Sequence, residues 1–169
     1  MLKYMNGNLI DLAEQGYFDV LVHGCNCQNT MGSGIAKEIR KRYPLAYTAD
    51  SNFMRPTLAP PVCKLGMWSN HNTDGHGSVF YDVSPFVIIN AYTQVDYLPR
   101  GIDHFEYESF RLILRKLAAV YPDKRFGFPR IGQGLAGGNP ERINQMLSDF
   151  AVAVSEKGGT VTVVDFDGK

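Results

Sequence analysis

The stretch Val22-His23-Gly24-Cys25-Asn26-Cys27-Gln28-Asn29-Thr30-Met31-Gly32-Ser33-Gly34-Ile35-Ala36 decides the fold. It joins two segments of different periodicity. Before it, Phe18-Asp19-Val20-Leu21-Val22 is a short apolar run, the pattern of a buried strand. After it, Ile35, Ile39 and Tyr43 recur at four-residue spacing, which predicts a helix that Pro44 ends or kinks. Strand, glycine-bearing turn and helix start form one βα unit.

The same design recurs towards the end of the chain. Arg125 to Phe128 reads as a strand, followed by the glycine loop Ile131-Gly132-Gln133-Gly134-Leu135-Ala136-Gly137-Gly138. Asn139-Pro140-Glu141 then opens a helix, with Asn as N-cap, Pro at the first helical position and an acid in the first turn. Ile143, Met146, Leu147, Phe150 and Val154 give it an apolar stripe to about Glu156, and Gly158-Gly159 stops it. Working outward, Leu2 to Met5 is a strand, Gly7-Asn8 breaks it, and Leu9 to Glu14 makes a helical turn. Pro56, Pro60 and Pro61 frame an irregular region. A strand is expected at Val62 to Trp68, a loop at Ser69 to Gly77, and strands at Val79 to Val83 and Phe86 to Tyr92. Phe105 to Val120 is a helix with Phe110, Ile113, Leu114, Leu117 and Tyr121 on one stripe, and Val161 to Phe166 is an apolar strand expected inside the sheet. Strands alternating with helices imply a three-layer α/β fold around a mostly parallel sheet. With no internal repeat and no linker, residues 1–169 read as a single domain.

Lysine plus arginine equals aspartate plus glutamate at 17 each, which argues against coating an extended nucleic acid by bulk charge. No apolar run reaches the roughly 18 residues that a membrane helix needs. The start Met1-Leu2-Lys3-Tyr4-Met5-Asn6-Gly7 lacks the apolar core of a secretory signal. Cys25, Cys27 and Cys63 cannot all pair within one chain, and Cys25-x-Cys27 is neither a redox nor a zinc spacing. Reduced thiols, a cytoplasmic location and no metal or cofactor are the expectations.

Both glycine loops belong at the carboxyl ends of strands, where open α/β sheets bind ligands. Glycines allow close backbone approach, and free N–H groups at a helix start favour an anion. One such loop could be only a tight turn; two, each leading into a helix, point to a ligand with more than one phosphate. Neither is a P-loop. Gly132, Gly134 and Gly137 fit G-x-G-x-x-G, but no acidic residue follows about twenty positions on in a strand, as a dinucleotide site requires.

At these loops the chain resembles a macro domain over nearly its whole length. Macro domains carry Gly-Asp-Ile after the first strand, similar to Gly7-Asn8-Leu9. They continue with Val-Asn-Ala-Ala-Asn, a spacer and Gly-Gly-Gly-[Val/Ile]-Ala; Val22-His23-Gly24-Cys25-Asn26 and Gly32-Ser33-Gly34-Ile35-Ala36 occupy that frame. Their second loop follows Phe-Pro and carries Gly-[Ile/Leu]-x-Gly, as in Phe128-Pro129 and Gly134-Leu135-Ala136-Gly137. The His23-x-Cys25-Asn26-Cys27 loop is similar to the small branch that includes ADP-ribose 1''-phosphate phosphatases.

The resemblance implies a mixed, mostly parallel sheet flanked by helices and an ADP-ribose cleft. Asn8 would take the place of an adenine-binding aspartate, or serve only as a turn residue. Phe166 would stack on adenine, or be a core aromatic. Asn26 would bond the distal-ribose hydroxyls, or cap local backbone. Amides near Gly32, Ser33, Gly34 and Ile35, and near Gly132, Gly134, Leu135, Ala136 and Gly137, would hold the phosphates. His23, expected at the end of its strand and facing the distal ribose, is the catalytic candidate with Asn26; alternatively it orders the loop. Asp103, His104, His71 and His76 are secondary candidates, with His71 and His76 expected in an exposed loop. A related branch uses a lysine and an aspartate where this chain has Gln94 and Ala136, so a mechanism needing those groups is not expected. Hydrolysis of ADP-ribose 1''-phosphate leads; a non-catalytic reader, and a hydrolase acting on ADP-ribosylated macromolecules, stand behind it. A monomer is expected.

Overall fold

The computed structural model describes residues 1–28, 30–53, 64–73, 84–96, 101–134 and 136–168. In chain order the elements are β1 (Leu2–Asn6), α1 (Leu9–Glu14), β2 (Val20–Asn26), α2 (Gly34–Arg42), α3 (Pro44–Asn52), β3 (Trp68–Asn72), β4 (Val87–Gln94), α4 (Tyr107–Val120), β5 (Arg125–Phe128), α5 (Pro140–Ser155) and β6 (Thr160–Asp165). The strands form one mixed sheet in the order β1-β6-β5-β2-β4-β3, parallel throughout except for the antiparallel edge strand β3.

Alternation along the buried strands divides the core in two. Val20, Val22, Ile89, Ala91, Phe126, Phe128, Val161 and Val163 pack against the apolar stripes of α4 and α5. Leu21, Ile88 and Val164 pack the other way, against Leu9, Ile10 and Ala13 of α1, Ile39 of α2 and Ala46 of α3. Because side chains switch face at each residue, His23 and Cys25 share the face of Leu21, and Asn90 and Tyr92 that of Ile88. Four groups with polar atoms are thereby committed to the layer under α3.

The α/β layering and the mostly parallel sheet match the expectation from strand–helix alternation. Three local expectations change. β2 does not end at Val22 but continues to Asn26, because the first residues of the glycine loop pair with β4 from Val20↔Val87 to Asn26↔Gln94. Pro44 ends α2 and is also the first residue of a further helix, α3, whose polar sequence carries little periodic signal. The strand expected to finish at Trp68 instead begins there. Its residues Trp68-Ser69-Asn70-His71-Asn72 read as a loop by composition, but pairing with β4 overrides that at a half-solvated edge. The strand expected at Val79 to Val83 lies outside the described residues.

Candidate functional site

Five parallel strands end on the same side of the sheet. A cleft of about 600 Å³ opens at the carboxyl ends of β2, β4 and β5, within the roughly 300–1,000 Å³ range of small-molecule sites. Its walls are the two glycine loops. Asn26, Gly32, Ser33, Gly34 and Ile35 come from the first, and Gly132, Gly134 and Ala136 from the second. Gly24, Cys25, Thr30, Met31, Ala36, Asp50, Gln94 and the Pro129-Arg130-Ile131 run complete the lining.

The glycines separate into two kinds. A Cβ on Gly132 would lie 2.4 Å from the Phe105 ring, and one on Gly137 would lie 2.6 Å from the Ile102 carbonyl oxygen; both residues have positive φ. These two are dictated by the fold. Gly134 meets nothing within 4 Å, and its φ is not positive. Gly32 has only the Thr30 carbonyl oxygen at 4.0 Å. Neither packing nor conformation requires glycine at these two positions, and both face the cleft. Close approach of a ligand to their backbone gives a reason for it.

The helix that starts in the cleft is unlike α1 and α5. Asn8 caps α1 by accepting from the N–H groups of Ile10 and Asp11, at 3.0 and 3.1 Å, and Asn139 caps α5 through the Arg142 N–H. At α2 the N-cap Ser33 makes no side-chain capping bond. The first-turn N–H groups of α2 therefore open towards the cleft, with the positive end of the helix behind them. Met31, in the left-handed region at φ 41°, holds the preceding turn while its side chain is buried.

Asn26 is used twice within the loop: its carbonyl oxygen accepts from the Gln28 N–H at 2.8 Å, and its amide donates to Thr30 Oγ1 at 2.9 Å. That leaves one amide hydrogen for a ligand. Gln94 and Ala136 both line the cleft, and the Gln94 amide donates to the Asp96 carbonyl. Arg130 is the only cation in the lining among the described residues. Its guanidinium is held by Asp165 at 2.5 and 2.9 Å and lies over the Tyr4 ring. Backbone N–H groups, more than free cations, are what this cleft presents to an anion.

His23 is not where the sequence placed it. It lies within β2, not at its end, is fully buried, and does not line the cleft. Its Nε2 is 2.7 Å from Asn90 Oδ1. The Asn90 amide donates to the Ala46 carbonyl and to Ser69 Oγ, so Oδ1 is fixed as acceptor and His23 Nε2 carries the hydrogen. Burial outweighs this bond and pushes His23 down to about 4, so the ring is neutral near pH 7. Cys25 Sγ lies 3.7–3.8 Å from both ring nitrogens, and burial, reinforced by Asp50, pushes its thiol well up. A thiol so placed stays protonated.

Other expected residues fall outside the lining. Gly7, Asn8 and Leu9 lie beyond the end of β1; Leu9 is buried in the core, and the Asn8 side-chain oxygen accepts the two N–H bonds of the α1 cap. Gly137 serves its turn, and Leu135 and His76 lie outside the described residues. Phe166, at 71% exposed, is not a core aromatic. Asp103 accepts from the Phe105 N–H and the Tyr107 hydroxyl, and the His104 N–H donates to the Ala136 carbonyl, tying that segment to the second loop. His71 is half-buried on β3 and not in an exposed loop. Sequence reasoning missed Asp50 and Arg130: one sits in the unforeseen α3, and the other directly follows the Phe128-Pro129 signal.

The architecture is that of the macrodomains. A macrodomain of Mycobacterium tuberculosis DarG superposes with TM-score 0.70 at 22% identity, covering 98% of this chain and 97% of that one. A Trypanosoma brucei macrodomain in complex with ADP-ribose superposes with TM-score 0.62 at 14% identity, covering 98% of this chain and 63% of that one. By sequence, the chain is 28% identical over 171 residues to an uncharacterized 17.5 kDa protein of Enterobacteria phage T4, covering 99% of this chain and 97% of the relative. It is 24% identical over 159 residues to the ADP-ribose 1''-phosphate phosphatase of Candida albicans, covering 89% and 94%. No family model matches the chain.

Proposed function

We propose that the cleft binds ADP-ribose and that the protein hydrolyses ADP-ribose 1''-phosphate to ADP-ribose and phosphate. The observation that carries the binding is the pair of cleft-facing glycines, Gly32 and Gly134, beside the uncapped start of α2. Two separate backbone surfaces suit a diphosphate. The hydrolytic reading is supported by the resemblance to the Candida albicans phosphatase over most of both chains.

The residues present constrain the route. Cys25 keeps its proton, and Gln94 and Ala136 supply neither nucleophile nor base. On this reading water attacks phosphorus directly, with no covalent intermediate on these residues. The bond from phosphorus to the anomeric oxygen breaks, and the proton that the attacking water gives up balances the one that the leaving sugar oxygen takes up. The amides near Ser33 and Gly34 hold the diphosphate, and Asn26 orients the distal ribose. His23 acts through the packing of β2 and Cys25, without touching the ligand. The same burial favours a second reading, a binding module for ADP-ribose without turnover.

Phosphate release from ADP-ribose 1''-phosphate separates the two readings. Release by the wild type, reduced at least tenfold in Asn26→Ala, supports the enzyme. Binding of ADP-ribose with no release assigns the reader.

A further inference from the structure

Asp50 enters the cleft from α3, and among the described residues it is the only acid in the lining. Its side chain is fully buried. One carboxylate oxygen, Oδ1, accepts from the Tyr92 hydroxyl at 2.8 Å and lies 3.8 Å from Lys64 Nζ. The other, Oδ2, has no hydrogen-bond partner among the described residues. A buried carboxylate oxygen left without a partner is destabilising, and a polar group of a bound ligand is one partner that a residue lining the cleft can take. Asp50 also closes a circuit. From Cys25, polar contacts run through His23, Asn90, Ser69 and Tyr92 to Asp50, and both ends of this chain line the cleft.

We propose that Asp50 determines which group the cleft accepts at the ligand's distal end: its neutral carboxyl donates to a phosphate oxygen, and its carboxylate accepts from a free hydroxyl while repelling a phosphate. This rests on the reading of the cleft as an ADP-ribose site, whose distal end lies at the adjacent Cys25-Asn26. Burial raises Asp50 above the usual carboxylate range, against the lowering by Tyr92 and Lys64. Among the described residues, the titratable groups facing it are Lys64, Tyr92 of β4, and Cys25 of β2, with His23 and Cys27 behind Cys25. β3 brings Ser69 into the circuit and places His71 two residues further along the same side. α2 packs on α3 with Arg40 over the Tyr47 ring, and that guanidinium reaches the Thr30 carbonyl.

The test is calorimetric binding of ADP-ribose and of ADP-ribose 1''-phosphate at pH 5 and pH 8, to wild type and Asp50→Asn. The variant shares the ligand's own ionisation, so any difference in profile belongs to Asp50. Wild type should lose preference for the phosphorylated ligand, relative to the variant, by about tenfold between the two pH values, the equivalent of one pKa unit of coupling. Matching profiles in the two proteins overturn the assignment and leave the function standing. A wild type that binds neither ligand contradicts the function itself and the assignment with it. If Asp50→Asn does not fold, Tyr92→Phe carries the test. Removing the hydroxyl bond moves the wild-type transition to higher pH, and an unmoved transition overturns the proposal.

Discussion

Gly134 and Gly137, three residues apart, answer to different demands, and substitution separates them. Gly134→Ala places a methyl in open cleft space, so ADP-ribose binding should weaken about tenfold while the thermal midpoint stays put. Gly137→Ala forces positive φ and a 2.6 Å contact with the Ile102 carbonyl oxygen, so it should cost about 2 kcal/mol or more of stability by chemical denaturation. The opposite pattern would mean that the second loop serves only its turn. His23 makes a separate prediction. Its folded pKa, about 4, lies below the ordinary 6.5, so between those values the unfolded chain binds a proton that the fold excludes. Stability from this group is complete above pH 6.5 and falls as pH falls. By pH 5 the loss is roughly 2 kcal/mol. Asp50 contributes the opposite slope in both proteins, so wild type should lose more stability than His23→Gln between pH 7 and pH 5; equal losses contradict the buried neutral ring. The motif around His23 was legible in the sequence, but its direction was not. Which face it takes depends on strand parity and on a helix above it that the sequence did not announce.

The helices differ in how they begin, and that difference bears on function. Asn139→Ala should destabilise by about 1 kcal/mol, since its side chain caps α5. Ser33→Ala should leave stability unchanged, since Ser33 makes no capping bond. Ser33→Asp is the sharper change: it supplies the missing cap and complements the helix dipole, so the melting temperature should hold or rise while ADP-ribose binding is lost. Retained binding in that variant would remove the start of α2 from the phosphate site. Most elements here were readable because period and punctuation agreed, as at Asn139-Pro140-Glu141 and along Phe110-Ile113-Leu114-Leu117. α3 was not readable. Pro44-Leu45-Ala46-Tyr47-Thr48-Ala49-Asp50-Ser51-Asn52 buries only Ala46 and Asp50, too little to leave a stripe. β3 was hidden for a related reason, since an edge strand needs few apolar residues once a neighbour supplies its hydrogen bonds.

At the scale of the molecule, the sheet order brings the ends of β2, β4 and β5 together and hangs both glycine loops over them. That convergence was legible from two βα units with glycine turns, without the strand order. The floor of the cleft was not legible, because Asp50 reaches it from the helix the sequence concealed. Among the described residues no helix is long and apolar enough to cross a membrane. The most direct test of the whole reading is isothermal titration of the wild type with ADP-ribose beside ADP, AMP and NAD. Saturable binding at one site per chain, selective for ADP-ribose and weakened in Gly134→Ala, is the predicted result. No binding, or equal binding of ADP and AMP, would contradict an ADP-ribose cleft.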